Sequence, residues 1–301
     1  MAFVTRFAPS PTGPLHLGHA YSAMLAHDMA RAEGGQFLLR IEDIDQTRSR
    51  PEWERQLSDD LNWLGVWWDA EPLRQSNRMP LYQQALDQLW EGDLLFACSC
   101  SRRDVLLALG APQEGVTTGP DGPVYPGTCR GSNPGGVPNR MITRPLDTHL
   151  RLHMDVAASC CEHMVPSAGG GTRVLWFTET GPRRRGQIFT SWETYSDTIG
   201  DIVLARMDFG TSYHLSVVLD DAAQGITHVI RGEDLFEATP IHVLLQRLLG
   251  LPTPVYHHHR LIRDDQGKRL AKRDDARALS KYRAEGATPA DIRRMVGLPF
   301  R

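Results

Sequence analysis

Residues 2–19 read AFVTRFAPSPTGPLHLGH, and this stretch decides the fold. Residues 2–8 have the apolar character of a short strand, and the prolines and glycine of residues 9–14 predict a loop. Apolar side chains recur with a helical period over residues 19–31, and a pair of glycines then ends the helix. Residues 36–41, QFLLRI, predict a second strand. This strand–loop–helix–strand order indicates an α/β fold built on a parallel sheet.

The rest of the chain indicates that this fold is divided by an insertion near residues 96–190. Glycine and proline are frequent in residues 110–139, which predicts loops throughout, and residues 166–186 contain GGG and RRR, which predicts an exposed loop. The remaining predicted elements are helices at 51–64, 78–92 and 238–249, and strands within IVLAR (202–206), YHLSVVLDD (213–221) and GITHVIRGEDL (225–235).

Composition narrows the class of protein. The chain has 301 residues, and its 33 Lys and Arg against 36 Asp and Glu give a formal charge of −3. This excludes a disordered or uniformly basic chain, although a local basic patch stays possible. No apolar run is long enough to span a membrane, and the first residues do not resemble a secretory signal. Five cysteines, an odd number, favour reduced thiols and a cytoplasmic protein.

The HLGH segment, residues 16–19, carries the first chemical signal. Two histidines flank a Leu-Gly pair directly after a strand and at the start of a helix. A helix N-terminus offers unpaired N–H groups to a phosphate, and Gly18 allows a nucleotide close to the backbone. His16 and His19 can donate to phosphate oxygens as charge develops in a displacement. The alternative interpretation is a proline-rich turn whose histidines only cap the helix.

A second signal is the basic segment at residues 268–273, KRLAKR. A lysine on a mobile loop can hold a triphosphate and neutralise departing pyrophosphate. A solvated charged loop is the alternative interpretation.

Together, HLGH and RLAKR (269–273) resemble the paired signature motifs of the class I aminoacyl-tRNA synthetases. The glutamyl branch of that family is the closer match, through RFAPSPTG (6–13), LLRIEDIDQTRSRPE (38–52) and THVIRGEDL (227–235). RLAKR departs from the family pattern, with Arg269 for a lysine and Ala271 for a serine, so Lys272 becomes the main candidate on the ATP loop. The resemblance implies a Rossmann-type catalytic domain in two halves, 1–95 and 191–250. Between them lies a zinc-binding, RNA-contacting insertion, 96–190, and the ATP loop and a stem segment follow at 251–301.

The resemblance also implies the residues of the active site. His16, His19 and Lys272 are the expected catalytic residues, and ATP is expected to bind, with Mg²⁺ on its phosphates, at His16, Gly18, His19, Arg269 and Lys272. The positions that match the glutamate site are Arg6, Phe7, Ala8, Pro9, Ser10, Glu42, Tyr213 and Arg231. Two arginines can pair the two carboxylates of glutamate, and Glu42 can accept from its ammonium.

Three cysteines form a candidate metal site. Cys98 and Cys100 are two residues apart and can grip one zinc from a tight turn, while Cys129 follows 29 residues later. The spacing gives no fourth ligand, but the family resemblance implies one structural zinc with Tyr125 as that ligand. Three buried free cysteines are the alternative. His257, His258 and His259 are not expected to bind one metal, because successive residues of a strand point to opposite faces.

The short segment after Arg273 bears on which molecule accepts the glutamate. Only 28 residues follow Arg273, too few for the helical anticodon-binding domain of a glutamyl-tRNA synthetase, so no such domain is expected. The resemblance then favours truncated paralogues of the family. These activate glutamate without tRNA and transfer it to queuosine at the wobble position of tRNA(Asp), which an anticodon stem-loop would present to a monomeric enzyme. One alternative is a truncated glutamyl-tRNA synthetase that charges the 3′ end of tRNA(Glu). Another is a paralogue that only forms adenylate, or a nucleotidyltransferase.

Overall fold

A computed structural model describes residues 2–109, 117–131, 138–160, 164–167, 170–263 and 277–299. Its strands are β1 (Val4–Phe7), β2 (Gln36–Ile41), β3 (Leu73–Arg74), β4 (Leu95–Cys98), β5 (Thr118–Gly119), β6 (Gly122–Pro123), β7 (His149–Leu152), β8 (Met164–Ser167), β9 (Gly170–Glu179), β10 (Gly186–Ser191), β11 (Val203–Ala205), β12 (His228–Gly232) and β13 (Val255–His259). Its helices are α1 (Leu17–Ala32), α2 (Pro51–Trp63), α3 (Met79–Glu91), α4 (Arg102–Leu109), α5 (Met154–Ser159), α6 (Tyr213–Ala223), α7 (Thr239–Leu248), α8 (Leu279–Ala284) and α9 (Pro289–Met295).

The opening strand–helix–strand unit is confirmed. β1 and β2 pair in parallel, with Val4 opposite Gln36 and Phe7 opposite Leu39. The helix between them begins at Leu17, and its buried face packs with both strands in one hydrophobic core. Gly35 is required at the return into β2, since a Cβ there would lie 2.1 Å from the carbonyl oxygen of Phe3. The helices predicted at 51–64, 78–92 and 238–249 are also confirmed, as α2, α3 and α7.

The second half of the α/β layer brings further strand ends to the same region. β12 pairs in parallel with β13, and β13 pairs in parallel with β9 through Tyr256 and Glu179. The backbone N–H of Thr227 donates to the Val4 carbonyl oxygen at 2.9 Å and so joins the start of β12 to β1. The carboxyl ends of parallel strands are where α/β proteins place their ligands.

The prediction of a strand in residues 213–221 is wrong, because these residues begin α6. Ser212 caps the helix by accepting the N–H of Leu215. Eight residues of α6, from His214 to Asp221, are buried. A helix that is buried on nearly all sides has an apolar run that periodicity cannot separate from a buried strand. The strands predicted in 202–206 and 225–235 are confirmed as β11 and β12.

The prediction of an exposed loop over residues 166–186 is also wrong in large part. β9 and β10 form an antiparallel hairpin in which Trp176 lies opposite Phe189. The glycines suggested a loop, but residues 175–179, LWFTE, alternate between buried and more exposed positions as a strand does. The three arginines, 183–185, do lie in the exposed turn of this hairpin.

A small antiparallel sheet, in the order β11-β7-β4, carries the first metal-ligand candidate. Cys98 is the last residue of β4 and lies opposite His149 of β7. β11, which follows the predicted boundary at 190 along the chain, is the third strand of this sheet. The segment around β5 and β6 then returns Tyr125 and Cys129 to Cys98.

Candidate active site and metal centre

The two histidines of HLGH cap α1. His16 Nδ1 accepts the N–H of Gly18 at 3.1 Å, and His19 Nδ1 accepts the N–H of His16 at 3.2 Å. Their rings contact each other with centroids 3.8 Å apart and planes inclined by 37°. Because both Nδ1 atoms accept, the hydrogen of each neutral ring lies on Nε2, which becomes the donor edge. Capping is therefore observed, and it is compatible with donation to a phosphate since the two functions use different nitrogens.

The predicted ATP-loop residues Lys268, Arg269 and Lys272 lie outside the described residues. The chain on either side is described, and both sides are fixed close to the HLGH segment. Ile262 is buried in the core around α1. After the loop, Leu279 N–H donates to the Leu15 carbonyl oxygen at 2.8 Å, and Ala278 forms a bridge with His16.

Arg6, at the carboxyl end of β1, forms a buried ion pair with a carboxylate. Its Nε donates to Asp221 of α6 at 2.8 Å. Asp221 also accepts from Arg40 at 2.6 Å, and Arg40 donates to Glu42 at 3.2 Å. Burial acts to raise the pKa of Asp221, but the guanidinium groups of Arg6 and Arg40 lower it below its ordinary value. The result is a buried alternation of positive and negative charges that runs from β1 to β2.

Glu42 lies next to the HLGH loop, where it was expected to face the substrate. Its backbone N–H donates to the Pro9 carbonyl oxygen at 3.0 Å, which joins the ends of β1 and β2. Burial raises the pKa of Glu42, and the charges of Arg40 and Arg6 oppose that increase. Burial disfavours the ionised form of this carboxylate, so an additional cation, such as the ammonium of an amino acid, would stabilise it.

Arg231, near the end of β12, has a different environment. Its Nε donates to His258 Nε2 at 3.0 Å, and its Nη1 donates to His242 Nδ1 at 3.0 Å. Its Nη2 donates to the Leu235 carbonyl oxygen and to the Thr239 hydroxyl. These four acceptors are neutral, so this buried cation has no direct carboxylate partner among the described residues. An anionic ligand would supply the missing counter-charge.

Tyr213 lies at the first turn of α6 and lines a cavity of about 800 Å³. Burial raises the pKa of Tyr213, and its hydroxyl is within electrostatic range of Arg231, Glu42 and Arg6. Three other predicted glutamate-site residues, Arg6, Glu42 and Arg231, therefore lie within electrostatic range of this phenol.

The remaining predicted positions are on the loop after β1. Phe7 is buried in the core around α1, and Pro9 is buried as well. Only the backbone of Phe7 is therefore left to contact a substrate. Ala8 and Ser10 are partly exposed at the same strand end. They flank Pro9, whose carbonyl oxygen accepts the N–H of Glu42.

The sequence did not identify the groups that hold these arginines. Asp221 has no local motif, since it reaches Arg6 across 215 residues of chain. Arg40 had a signal, because it lies on β2 two residues before Glu42, which directly follows the strand, and a spacing of two places side chains on the same face. No sequence pattern indicated that His258 contacts Arg231. The structure confirms that the three consecutive histidines do not converge. His257 contacts Thr180, His258 contacts Arg231, and His259 contacts the Arg260 carbonyl oxygen.

The three predicted cysteines converge. Their sulfur atoms all lie within 4.8 Å of one another, with Cys100 and Cys129 3.5 Å apart. The Tyr125 hydroxyl lies 3.5 Å from the sulfurs of both Cys98 and Cys100. Tetrahedral zinc with Zn–S of ~2.3 Å and Zn–O of ~2.0 Å would separate sulfur from oxygen ligands by roughly 3.5 Å. The cluster therefore fits a metal, and the phenol fits as the fourth ligand.

The surroundings of this cluster favour ionisation of Cys129, whereas burial raises the pKa of Cys100 and of Tyr125. Arg151 of β7 places Nε 3.3 Å from Cys98 Sγ, and its guanidinium lies 3.9 Å from the centroid of the Tyr125 ring. The Cys129 N–H donates to the Tyr125 hydroxyl oxygen at 2.8 Å. Burial acts to raise the pKa of the Cys129 thiol, but hydrogen bonds to Tyr125 and to the Ser99 backbone lower it to about 7. Thiolates bind metal, so a thiol that ionises near neutrality suits a metal site.

In the described part of the chain, no helix combines the length and apolar character that a membrane span requires.

Comparison with known proteins agrees with this geometry. The model of the family "tRNA synthetases class I (E and Q), catalytic domain" matches residues 2–109 and 180–300. The glutamyl-Q tRNA(Asp) synthetase of Rhodobacter capsulatus is 64% identical over 295 residues, which cover 98% of this chain and 100% of that protein. The enzyme of the same name from Deinococcus radiodurans is 41% identical, with 97% of this chain and 87% of the relative covered.

Solved structures show the same fold. The crystal structure of a glutamate-tRNA synthetase from Elizabethkingia anophelis has a TM-score of 0.76 at 26% identity. The match covers 98% of this chain and 61% of that protein, so the chain spans about three fifths of its length. With the family model and the full-length relatives, this establishes that the chain belongs to the class I tRNA synthetases of the glutamyl and glutaminyl type, in the branch of the glutamyl-Q tRNA(Asp) synthetases.

Proposed function

We propose that the chain activates L-glutamate with ATP, without tRNA, and transfers it to queuosine at the wobble position of tRNA(Asp). The observation that carries the first part is that the buried Arg6 and Arg231 lie near the ends of adjoining strands, β1 and β12, while Glu42 is hydrogen-bonded to the loop that follows β1 and leads to the capped HLGH helix. The acceptor rests on the relatives, which are named glutamyl-Q tRNA(Asp) synthetases.

Glutamate recognition is a matter of matching charges. Asp221 fixes one edge of the Arg6 guanidinium, which leaves the other edge to form paired hydrogen bonds with a carboxylate. Arg231 takes the second carboxylate, and that carboxylate supplies its counter-charge. Glu42 accepts from the ammonium, while the backbone from Phe7 to Ser10 and the hydroxyl of Tyr213 complete the pocket.

ATP binds where α1 begins. A glutamate carboxylate oxygen attacks the α-phosphorus, and pyrophosphate leaves. His16 and His19 donate through Nε2 to the phosphate oxygens, and Gly18 allows the nucleotide to approach the backbone. Lys272 and Arg269 act on the departing pyrophosphate from the loop that returns to His16. Mg²⁺, when bound to the phosphates, offsets their charge.

In the second step, a hydroxyl of the queuosine cyclopentene-diol attacks the acyl carbon of glutamyl-adenylate. The new ester bond forms, the bond to phosphate breaks, and AMP leaves. The insertion and the basic 268–283 segment hold the anticodon stem-loop, whose wobble base is splayed from its stack.

Zinc is the metal that we propose for the cysteine cluster, held by Cys98, Cys100, Cys129 and Tyr125. When bound, it ties the two distant parts of the insertion together. Metal analysis of the purified chain is expected to give one zinc per chain. Tyr125→Phe is expected to lower zinc affinity less than Cys100→Ser does, because it removes one hard ligand and keeps three thiolates. Absence of zinc from protein that is folded and insensitive to chelation would contradict the site.

Two measurements test the reaction. ATP–pyrophosphate exchange is expected to require glutamate and to proceed without RNA. Nuclease mapping of labelled glutamate on tRNA(Asp) is expected to place it on the anticodon base in an alkali-labile ester. Label on the terminal adenosine, or equal labelling of tRNA that lacks queuosine, would instead support a truncated glutamyl-tRNA synthetase.

A further inference from the structure

Arg231 is the centre of a chain of hydrogen-bonded side chains that crosses the molecule. On one side, its Nε meets His258 Nε2, and His258 Nδ1 lies 2.5 Å from the buried Glu179 carboxylate. The Glu179 carboxylate is also fixed by two backbone donors, the N–H groups of His258 and Gly181. This end of the chain is therefore anchored on the sheet, at the point where β9 meets β13.

On the other side, the chain of hydrogen bonds leads to the turn between β5 and β6. Arg231 Nη1 lies 3.0 Å from His242 Nδ1, and His242 Nε2 lies 3.1 Å from His214 Nδ1. His214 Nε2 then lies 3.4 Å from a carboxylate oxygen of Asp121. Asp121 is in the turn between β5 and β6, four residues before the metal-ligand candidate Tyr125.

The direction of every hydrogen bond in this chain follows from Arg231. A guanidinium only donates, so His258 Nε2 and His242 Nδ1 both accept. A neutral imidazole carries its hydrogen on the other nitrogen, so His258 donates to Glu179 and His242 donates to His214. His214 in turn donates to Asp121. Both ends of the chain are carboxylates, which can accept, so one arrangement of hydrogens satisfies all the members.

We propose that His258 and His242 are positioning residues that hold Arg231 for a substrate carboxylate, and that Asp121 extends this support to the turn between β5 and β6 through His214. The proposal rests on the proposed function, since it assumes that Arg231 binds glutamate. Four of the five N–H groups of Arg231 have acceptors among the described residues, two of them histidine nitrogens. The fifth N–H group is the second one on Nη1. Its direction is fixed because the other N–H group of Nη1 donates to His242.

The chemistry of the imidazole ring offers a matched pair of variants at His242. Asparagine places its amide oxygen near the position of Nδ1, so His242→Asn can still accept from Arg231 but loses His214. Glutamine reaches the position of Nε2, so His242→Gln can still meet His214 but loses Arg231. The two variants have similar polarity and differ in the partner that they keep. A structural role for His242 would not distinguish them.

The experiment is steady-state ATP–pyrophosphate exchange by both variants, with circular dichroism to verify folding. We expect His242→Gln to raise the KM for glutamate about tenfold or more, with the KM for ATP within twofold of the wild-type value. We expect His242→Asn to raise the KM for glutamate at most threefold. At the far end, Asp121→Ala is expected to give a smaller increase than His242→Gln, because its contact is longer and half-exposed.

Arg231→Lys separates failure of this inference from failure of the proposed function. If Arg231→Lys leaves the KM for glutamate unchanged, Arg231 does not bind glutamate and the proposed site is wrong. If Arg231→Lys weakens glutamate but the two His242 variants behave alike, or raise both KM values together, the positioning role is overturned while the site stands. If either His242 variant fails to fold, His258 provides the comparison with the residue types exchanged. His258→Gln keeps an acceptor for Arg231 and should raise the KM for glutamate at most threefold, whereas His258→Asn loses that acceptor and should raise it about tenfold or more.

Discussion

Arg6 and Arg231 occupy the ends of two strands of the α/β layer, and each exposes only 6% of its surface. Arg6 has a carboxylate partner in Asp221 at 2.8 Å, which lies between it and Arg40. Arg231 has two histidines, a carbonyl group and a hydroxyl, all of them neutral. The two cations are therefore equally buried but unequally compensated.

This difference in charge compensation predicts different contributions of the two arginines to folding and to ligand binding. Removing one partner from a buried ion pair leaves an uncompensated charge, so Arg6 belongs to the architecture of the fold as well as to the site. A buried cation surrounded by neutral acceptors costs stability until an anion arrives. We therefore expect Arg231 to make the larger contribution to the proposed binding of glutamate, and Arg6 to make the larger contribution to folding.

The largest expected effect is on folding. Arg6→Met is expected to lower the free energy of unfolding by about 3 kcal/mol, near the low end for a broken buried pair because Arg40 still holds Asp221. Urea denaturation without ligands measures it. Arg231→Met is the matched control and should cost less, since loss of its hydrogen bonds is partly offset by removal of a desolvated charge. Equal losses in the two variants would remove the distinction between the arginines.

The next effect is on ligand binding. Arg231→Met is expected to weaken glutamate by about 2–4 kcal/mol, or roughly 30-fold to 10³-fold, because the substrate carboxylate loses its charged partner. Calorimetric titration of the folded variant with glutamate measures this loss. ATP affinity should stay near the wild-type value. A variant that binds glutamate as tightly as the wild type would show that the buried charge serves something else.

The pH dependence of stability separates the two environments further. Burial, together with the positive charge of Arg231, holds the pKa of His242 well below its ordinary value of 6.5. The unfolded chain binds that proton first, so stability is complete above pH 6.5 and falls as the pH decreases below it. His242→Asn removes this contribution to the pH dependence of the free energy of unfolding, which for one proton has a slope of about 1.4 kcal/mol per pH unit. Urea denaturation at pH 7, 6 and 5 should therefore give a shallower decline for the variant, and parallel curves would show that His242 titrates normally.

The smallest effect is expected from the metal. Asp121 is on the segment that leads to Tyr125, so removing zinc should disturb the far end of the Arg231 chain and leave the Arg6 pair intact. We expect chelation to raise the KM for glutamate by about two- to threefold, a fraction of a kcal/mol. Exchange assays before and after chelation, with zinc added back as the control, measure it. A rise in the KM for ATP of the same size would indicate general loosening instead.

Short-range patterns predicted much of this protein. The Pro-rich loop and the apolar period over residues 19–31 predicted β1, α1 and β2, and the spacing of Cys98 and Cys100 predicted a neighbouring pair of thiols, because both depend on neighbours in the chain. The strand that was predicted at 213–221 failed for the same reason. A run such as YHLSVVLDD satisfies either structure locally, and only burial by the surrounding elements makes it α6.

Residue type and local spacing fix the available charges, thiols and helix ends, so the amino-acid sequence is enough to identify which residues can take part in chemistry. Tertiary structure decided how those groups are compensated. Asp221 reaches Arg6 across 215 residues, and His258 reaches Arg231 across 27. No local pattern contains such partners, because a buried charge is stabilised by whatever lies beside it in space. That is why two arginines of one site, both visible in the sequence, acquire different environments only when the chain is folded.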